Sequence, residues 1–238
     1  MKKAKLACVI TTHNRIEDAK GQMDLIKDKW FPYFEQIDIY HEFNGELGWY
    51  PQKYREDFLY RHPKMPHLKG AVYLIEQGIK HVLESKAVYD FIVVSSSDAW
   101  IYNPKKIHEL INTCLEKQYE LATSIWFSVG LATEFFIITP SLAQKVFPLN
   151  YEKYLESHTI PKLLDAYSHT KFVEKYIPWS KMGTVEFYFT KKALSILKTP
   201  RKIYLIPGRR FVHFHNRFSS KGFYSSHHNR DKNLQSLP

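Results

Sequence analysis

Apolar runs that end in polar residues alternate with amphipathic stretches through the first half of the chain. Three runs rich in β-branched and aromatic residues are typical of buried strands, at residues 5–13, 36–45 and 89–97. The stretches 15–30 and 69–85 carry apolar side chains at helical spacing, and Pro104 is placed to begin a third helix. This order predicts an α/β fold with a Rossmann-like, mostly parallel open sheet and helices on both faces.

The second half of the chain mixes shorter elements. Residues 121–140 are predicted to form two strands around Gly130, and Pro140 is predicted to begin a short helix. Four more elements are predicted: a helix over 160–177 and short strands over 183–190, 202–207 and 210–215. Because no repeat, low-complexity tract or linker interrupts the pattern, we expect a single domain over residues 1–238.

Polar side chains gather where the three predicted strands end. They are Thr11, Thr12, Asn14 and Arg15 at the first, Glu42 and Asn44 at the second, and Ser96, Ser97 and Asp98 at the third. In an open parallel sheet, ligands bind at the carboxyl ends of the strands, so three such ends predict one polar pocket. Neither the glycine-rich dinucleotide turn nor the P-loop pattern is present, which excludes the usual forms of those two pockets.

Four of these features together resemble a nucleotide-sugar glycosyltransferase of the GT-A fold. They are ACVITTHNR at 7–15, the polar end of the second strand, KGAVYLIEQGI at 69–79 and YDFIVVSSSDAW at 89–100. The resemblance implies transfer of a sugar from a nucleotide-diphosphate donor to a hydroxyl of a glycan, a lipid-linked molecule or a protein. It also implies a nucleotide-binding half at about 1–105 and an acceptor-binding half at about 106–238.

Asp98 matches the last aspartate of the family's Asp-X-Asp motif, which binds a divalent metal held by the donor's diphosphate. Ser96 stands where the family commonly has its first aspartate. Mn²⁺ or Mg²⁺ needs only one or two carboxylates when phosphate oxygens and water complete its shell, so a lone aspartate is sufficient. The structural alternative is that Asp98 caps the next helix or turn, although Pro104 begins that helix six residues later. The polar strand ends and Lys69 are expected to contact the nucleotide sugar.

The end of the chain is strongly basic. Residues 198–238 hold nine lysines or arginines and one aspartate, a net charge of +8 out of the +10 of the whole chain. Arg209 and Arg210 are expected to neutralise the leaving diphosphate. His213 and His215 alternate with apolar residues, and the resemblance makes either one a further metal ligand, the alternative being a structural role.

A different class of function also fits this charge. The basic segment could make the chain a non-enzymatic protein that binds nucleic acid or an anionic membrane surface. A nucleotidyltransferase with a related sheet and metal site is a third, weaker hypothesis. No zinc-finger spacing, basic zipper or aromatic RNA-binding signature is present, so nucleic acid is not the expected partner.

Two acids in apolar surroundings are candidates for the base that takes the acceptor's proton. They are Glu134 and Glu186, each predicted to lie in a strand, where burial would favour a raised pKa. The resemblance favours Glu186, because a late acid that follows a glycine matches the position of the family's base.

Composition sets the expected compartment. Apolar residues make up 44% of the chain, no stretch approaches the length of a membrane span, and the first apolar run is too short for a signal peptide. Two cysteines, Cys8 and Cys114, do not form a disulfide framework. We therefore expect a cytoplasmic protein that can associate peripherally with a membrane.

Overall fold

Nine strands lie in the part of the chain that the computed structural model describes, which is residues 3–46, 48, 51–65, 67–97, 99–101, 103–126, 130–150, 185–206 and 223–225. They are β1 (Lys5–Thr12), β2 (Gln36–Phe43), β3 (Phe58–Arg61), β4 (Phe91–Ser96), β5 (Ala99–Ile101), β6 (Leu121–Trp126), β7 (Gly130–Ile138), β8 (Ile203–Leu205) and β9 (Phe223–Ser225). Seven of them form one sheet in the order β3-β2-β1-β4-β7-β6-β8, and β5 pairs with β9 alone.

Five α-helices connect or cover these strands within the same described residues. They are α1 (Ile16–Leu25), α2 (His67–Glu84), α3 (Pro104–Lys117), α4 (Pro140–Val146) and α5 (Val185–Leu197). Helix α1 continues into a π-helical turn over Ile26–Trp30 and a short 3₁₀ turn over Phe31–Tyr33. A second 3₁₀ turn, Pro200–Lys202, leads into β8.

The sheet is parallel in its first half and mixed in its second. Strand β1 pairs in parallel with β2 and β4, and β2 pairs in parallel with β3. Strand β7 runs antiparallel to both β4 and β6, whereas β8 is parallel to β6. The predicted open α/β sheet with a mixed second half is therefore confirmed.

Strand β1 is buried on both of its faces, which explains its unbroken apolar sequence. Leu6, Cys8 and Ile10 belong to one hydrophobic cluster, which also contains residues of α1 and α3. Ala7 and Val9 belong to a second cluster, which contains residues of α2, α4 and α5. Because successive side chains of a strand point to opposite faces, one strand anchors both layers of helices.

Most of the predicted elements of the first 150 residues are confirmed, but the short strands β3 and β5 were not predicted. The predicted strands at 5–13, 36–45 and 89–97 correspond to β1, β2 and β4, and the helices correspond to α1, α2 and α3. Strand β3 lies at one edge of the sheet, in a segment to which the sequence pattern assigns no element. The predicted helix over 160–177 and the strand over 210–215 lie outside the described residues.

The prediction of a strand over 183–190 is wrong, because helix α5 begins at Val185. The β-branched and aromatic residues of this segment favoured a strand. In the structure, Val185, Phe189 and Ala193 are buried, which is the spacing of one face of a helix packed against the core. Tertiary packing has therefore overridden local propensity.

Helix α2 approaches β1 so closely that Gly78 has no room for a side chain. A Cβ at this position would lie 2.3 Å from Cγ1 of Val9 and 3.1 Å from Cγ of Glu42. We predict that Gly78→Ala lowers the free energy of unfolding by about 1–3 kcal/mol, because overpacking outweighs the better helix propensity of alanine. Urea unfolding measures this. Lys80→Ala, at an exposed position of the same helix, is the control, and equal stability of G78A and the parent would contradict the close contact.

Candidate functional site

The carboxyl ends of β1, β2 and β4 are joined by backbone hydrogen bonds beyond the strands themselves. The N–H of Asn44 donates to the carbonyl of Thr12 at 3.2 Å, and the N–H of Ser97 donates to the carbonyl of Thr11 at 3.0 Å. The imidazole Nδ1 of His13 lies 3.0 Å from Oδ1 of Asn44. The three polar strand ends that the sequence pointed to are thus brought together at one edge of the sheet.

Two glycines bring further backbone to this edge. A Cβ on Gly45 would lie 2.1 Å from the carbonyl oxygen of His13, so the turn after β2 touches the turn after β1. A Cβ on Gly70 would lie 2.5 Å from Nδ2 of Asn44, so the first turns of α2 also reach the edge. Lys69 is exposed next to this contact.

The candidate nucleotide-binding residues divide into two groups by exposure. Five of them are partly or fully exposed to solvent: Thr11, Asn14, Arg15, Lys69 and Ser96. Four are buried: Thr12, Glu42, Asn44 and Ser97. The first group can meet a ligand directly, whereas the second lies beneath the edge and holds it in place. Asp98, Arg209, Arg210, His213 and His215 lie outside the described residues.

On one face of the sheet, a buried histidine links Thr12 to a carboxylate. Nε2 of His41 lies 3.2 Å from the hydroxyl of Thr12, and its Nδ1 lies 3.7 Å from Oε1 of Glu56. All three side chains are at most 3% exposed. Sequence reasoning missed His41 and Glu56. The sequence indicated only that His41 and its neighbour Glu42 lie on opposite faces of the strand.

Glu56 is held as an ionised group despite its burial. Burial acts to raise the pKa of its carboxyl, but the interaction with His41 and the N–H of Tyr54 outweigh this effect. The pKa of Glu56 therefore lies below its ordinary value of 4.5.

On the opposite face, Glu42 has both carboxylate oxygens engaged by histidines. Nε2 of His62 lies 2.6 Å from its Oε2, and Nδ1 of His81 lies 2.9 Å from its Oε1. The ring of Tyr60 stacks on His81 with centroids 3.7 Å apart. His62 directly follows β3 and His81 belongs to α2. Glu42, which is 0% exposed, therefore connects β2 to both of these elements inside the fold.

The segment between β4 and β5, which contains Asp98, is held at both ends by α1. Nε2 of Gln22 donates to the hydroxyl of Ser95 at 2.7 Å and to the carbonyl of Ala99 at 3.1 Å. The hydroxyl of Ser95 also donates to the carbonyl of Ala99 at 2.6 Å, and the indole N–H of Trp100 donates to the carbonyl of Ser97 at 2.7 Å. Four hydrogen bonds therefore fix the residues on either side of position 98.

Strand β5 extends this contact and brings part of the basic C-terminal segment to the site. The indole N–H of Trp30 donates to the carbonyl of Ile101 at 2.9 Å. Strand β9 pairs antiparallel with β5, with Ala99 opposite Ser225 and Ile101 opposite Phe223. Residues 223–225 thus lie beside the strand that directly follows Asp98.

The cap of helix α3 is Asn103. Its side-chain oxygen accepts a hydrogen bond from the N–H of Lys105 at 3.0 Å, and Pro104 follows it at the first helical position. The structural alternative for Asp98, capping this helix, therefore loses its main support, because the position is already taken.

Both candidate acids lie at the same edge as the strand ends. Because β7 is antiparallel to β4, it starts beside the carboxyl end of β4, and the hydroxyl of Ser96 donates to the carbonyl of Glu134 at 3.3 Å. The hydroxyl of Thr133 donates to Oε1 of Glu186 at 2.9 Å. Glu186 belongs to the first turn of α5, where the helix dipole favours a negative charge, and not to an apolar strand as expected.

The described residues contain neither a cluster of metal-binding side chains nor a helix that could span a membrane. No group of three or more His, Cys, Asp or Glu side chains in that part of the chain could hold a metal ion. None of the helices in that part is both long and apolar enough to cross a membrane.

Comparison with known proteins finds structural likeness only. No protein-family model matches the chain, and a search of curated proteins finds no match. Among solved structures, the chain is similar to a mannosyltransferase from Pyrobaculum calidifontis in complex with GDP-Man and Mn²⁺, with 9% identity and a TM-score of 0.47 over 62% of this chain and 48% of that one. It is also similar to a glycosyltransferase involved in glycosylation of the major capsid of PBCV-1, with 10% identity and a TM-score of 0.43 over 85% of this chain and 81% of that one.

A third similar structure is the glucosyl-3-phosphoglycerate synthase of Mycobacterium tuberculosis with Mn²⁺, UDP-Glc and phosphoglyceric acid. It has 9% identity and a TM-score of 0.36 over 58% of each chain. The chain spans about half of the length of the mannosyltransferase and 58% of this synthase. Likeness at such identities and TM-scores assigns no function to this chain.

Because the pKa of Glu56 is lowered, the contribution of this residue to the stability of the fold depends on pH. Its ionised form stabilises the fold above about pH 4.5, and this contribution disappears as the pH falls through the lower pKa of the folded state. We predict that Glu56→Gln lowers the free energy of unfolding by about 1–3 kcal/mol at neutral pH, and that its difference from the parent shrinks in acid. Denaturant unfolding at both pH values tests this. Glu17→Gln, which alters an exposed pair with Lys20, should show neither effect, and an E56Q difference that is the same in acid would contradict the prediction.

Proposed function

We propose that this protein is a metal-dependent glycosyltransferase that moves a sugar from a nucleotide-diphosphate donor to an acceptor hydroxyl. The observation that carries the proposal is the edge where β1, β2 and β4 end together. Ser96, one of its partly exposed residues, belongs to a segment whose flanks, Ser95 and Ala99, are held by Gln22. Candidate acids lie on the adjoining strand and helix. A phosphate-bearing ligand, a cation and a hydroxyl acceptor would each find suitable groups within this one region.

The exposed members of the edge are assigned to the donor. Thr11, Asn14 and Ser96 offer hydroxyl and amide groups to the nucleoside and sugar, and Arg15 and Lys69 offer positive charge to the phosphates. Thr12, Glu42, Asn44 and Ser97 support the edge from beneath. Arg209 and Arg210 are assigned to the leaving diphosphate. The pairing of β9 with β5 supports this assignment, because it attaches residues 223–225 of the same C-terminal segment next to the site.

Asp98 is assigned to a divalent cation, Mn²⁺ or Mg²⁺, with His213 or His215 as a further ligand. The donor set fits a hard cation, because one carboxylate and the phosphate oxygens of the ligand supply oxygen atoms. When bound, the cation would neutralise charge on the leaving diphosphate. The hydrogen bonds at Ser95, Ser97 and Ala99 hold the residues on either side of position 98.

Glu186 is assigned as the base, with Glu134 as the second candidate. A carboxylate near the acceptor takes the proton of the attacking hydroxyl, whose oxygen forms a new bond to the anomeric carbon of the sugar while the bond from that carbon to the diphosphate breaks. The nucleoside diphosphate then leaves with the electron pair of that bond.

We predict that Asp98→Asn abolishes metal-dependent nucleotide binding without unfolding the chain, because it removes charge at nearly constant volume. Thermal shift with UDP, GDP, ADP and CDP, each with and without Mn²⁺, measures this. The parent should gain stability with one nucleotide only when Mn²⁺ is present, and Asp28→Asn, at an exposed pair with Arg55, should behave as the parent does.

Two outcomes would count against this assignment. Retention of Mn²⁺-dependent binding by D98N would show that the aspartate is not a ligand. Salt-sensitive stabilisation by any polyanion, without a preference for a nucleotide, would favour a binding protein that acts through the basic C-terminal segment.

A second prediction concerns Arg15, which lies between the end of β1 and helix α1. We expect Arg15→Ala to weaken binding of the same nucleoside diphosphate by about 1.5–3 kcal/mol, the range for a hydrogen bond to a charged group. Lys20→Ala removes a cation from an exposed ion pair on the same helix and is the matched control. Isothermal titration gives both dissociation constants, and an unchanged value for R15A would place the nucleotide pocket elsewhere.

A further inference from the structure

Strand β7 contains a bulge next to the end of β4. On one side of the bulge Thr123 of β6 is opposite Phe136, and on the other side Ile125 is opposite Leu131. Between these pairs, four residues of β7 therefore lie opposite one residue of β6. Bulges re-aim side chains and are frequent beside active sites.

Side-chain hydroxyls lie within hydrogen-bond distance of main-chain carbonyl groups at the bulge. The hydroxyl of Thr123 lies 2.8 Å from the carbonyl of Ala132 and 3.1 Å from that of Phe135. The hydroxyl of Ser96 reaches the carbonyl of Glu134. Thr123 is 0% exposed, so the shape of the bulge is set from inside the sheet.

Thr133 occupies the middle of this bulge and contacts helix α5. Its hydroxyl donates to Oε1 of Glu186 at 2.9 Å. One turn later, the hydroxyl of Thr190 accepts from the N–H of Leu131 at 2.7 Å and donates to the carbonyl of Glu186 at 2.6 Å. Two threonines therefore connect α5 to β7: Thr133 donates to the carboxylate of Glu186, and Thr190 donates to its main-chain carbonyl.

We propose that Thr133 is a positioning residue that orients the carboxylate of Glu186 for proton transfer. This inference rests on the proposed role of Glu186 as the base. A base must lie within hydrogen-bond distance of the proton that it removes, and a carboxylate on a flexible side chain meets this condition only when its rotation is restricted. The Thr133 hydroxyl supplies that restriction and, as a donor, stabilises the ionised form that accepts the acceptor's proton.

The experiment compares four variants of the full chain: Glu186→Gln, Thr133→Val, Thr133→Ser and Thr190→Val. Release of nucleoside diphosphate is measured from UDP-glucose, UDP-galactose and GDP-mannose with Mn²⁺, both in water and with a panel of simple sugars as acceptors. Unfolding in urea and the dissociation constant for the nucleoside diphosphate are measured for each variant.

We expect E186Q to lower kcat by about 100-fold or more and T133V by about 10-fold, within the range of general base catalysis. For T133V, KM and nucleotide binding should not change, and the acidic limb of the pH–rate profile should move to higher pH because the ionised carboxylate loses a donor. T133S keeps the hydroxyl and should restore kcat. T190V loses hydroxyl contacts to the backbone only, so its kcat should remain within about 2-fold of the parent even if it is less stable.

Each contrary result has a separate meaning. Full activity of E186Q would show that Glu186 is not the base. If the parent released nucleotide from none of these donors, the proposed function would be contradicted and the role of Thr133 would fail with it. Loss of activity in E186Q together with parent-like kinetics in T133V would overturn the role of Thr133 alone. Equal losses in T133V and T190V would show that Thr133 only docks the helix.

Discussion

The double burial of β1 is the constraint on which the rest of the structure depends. Its apolar side chains are covered by helices on both faces, and both of its edges are paired in parallel with β2 and β4. Parallel pairing brings the carboxyl ends of the three strands to one edge. The polar residues at these ends must then satisfy one another or a ligand, because buried polar groups without partners are costly.

The edge meets this requirement in large part with side chains that reach across elements, although within the described residues Nδ1 of His41 and Oε1 of Glu56 make no hydrogen bond and interact only as a pair 3.7 Å apart. His41 and Glu56 lie behind Thr12 on one face, while His62 and His81 engage Glu42 on the other. The candidate site is therefore a solvent-facing layer of polar groups on a buried polar layer. Such a support suits chemistry that needs groups held in place before a ligand arrives.

Sequence reasoning located the edge but could not separate these two layers. Thr11 and Thr12 are neighbours of the same type, yet one is partly exposed and the other is buried. His41 carried no motif, because its partners Thr12 and Glu56 are distant along the chain and meet it only through strand pairing and a loop contact. Gln22 looked like an ordinary polar residue of an amphipathic helix, although it is 1% exposed and holds the segment around position 98.

The sequence by itself determined the order of strands and helices from β1 to α4 apart from the short strands β3 and β5, because hydrophobic periodicity and proline placement act over a few neighbouring residues. It also determined that polar groups follow the buried strands. Only the tertiary structure decided that residues 185–197 form a helix, that Glu134 lies beside Ser96 and that Glu186 meets Thr133. Those outcomes depend on the antiparallel direction of β7 and on its bulge, which arise from contacts between residues far apart in the chain and leave no local pattern.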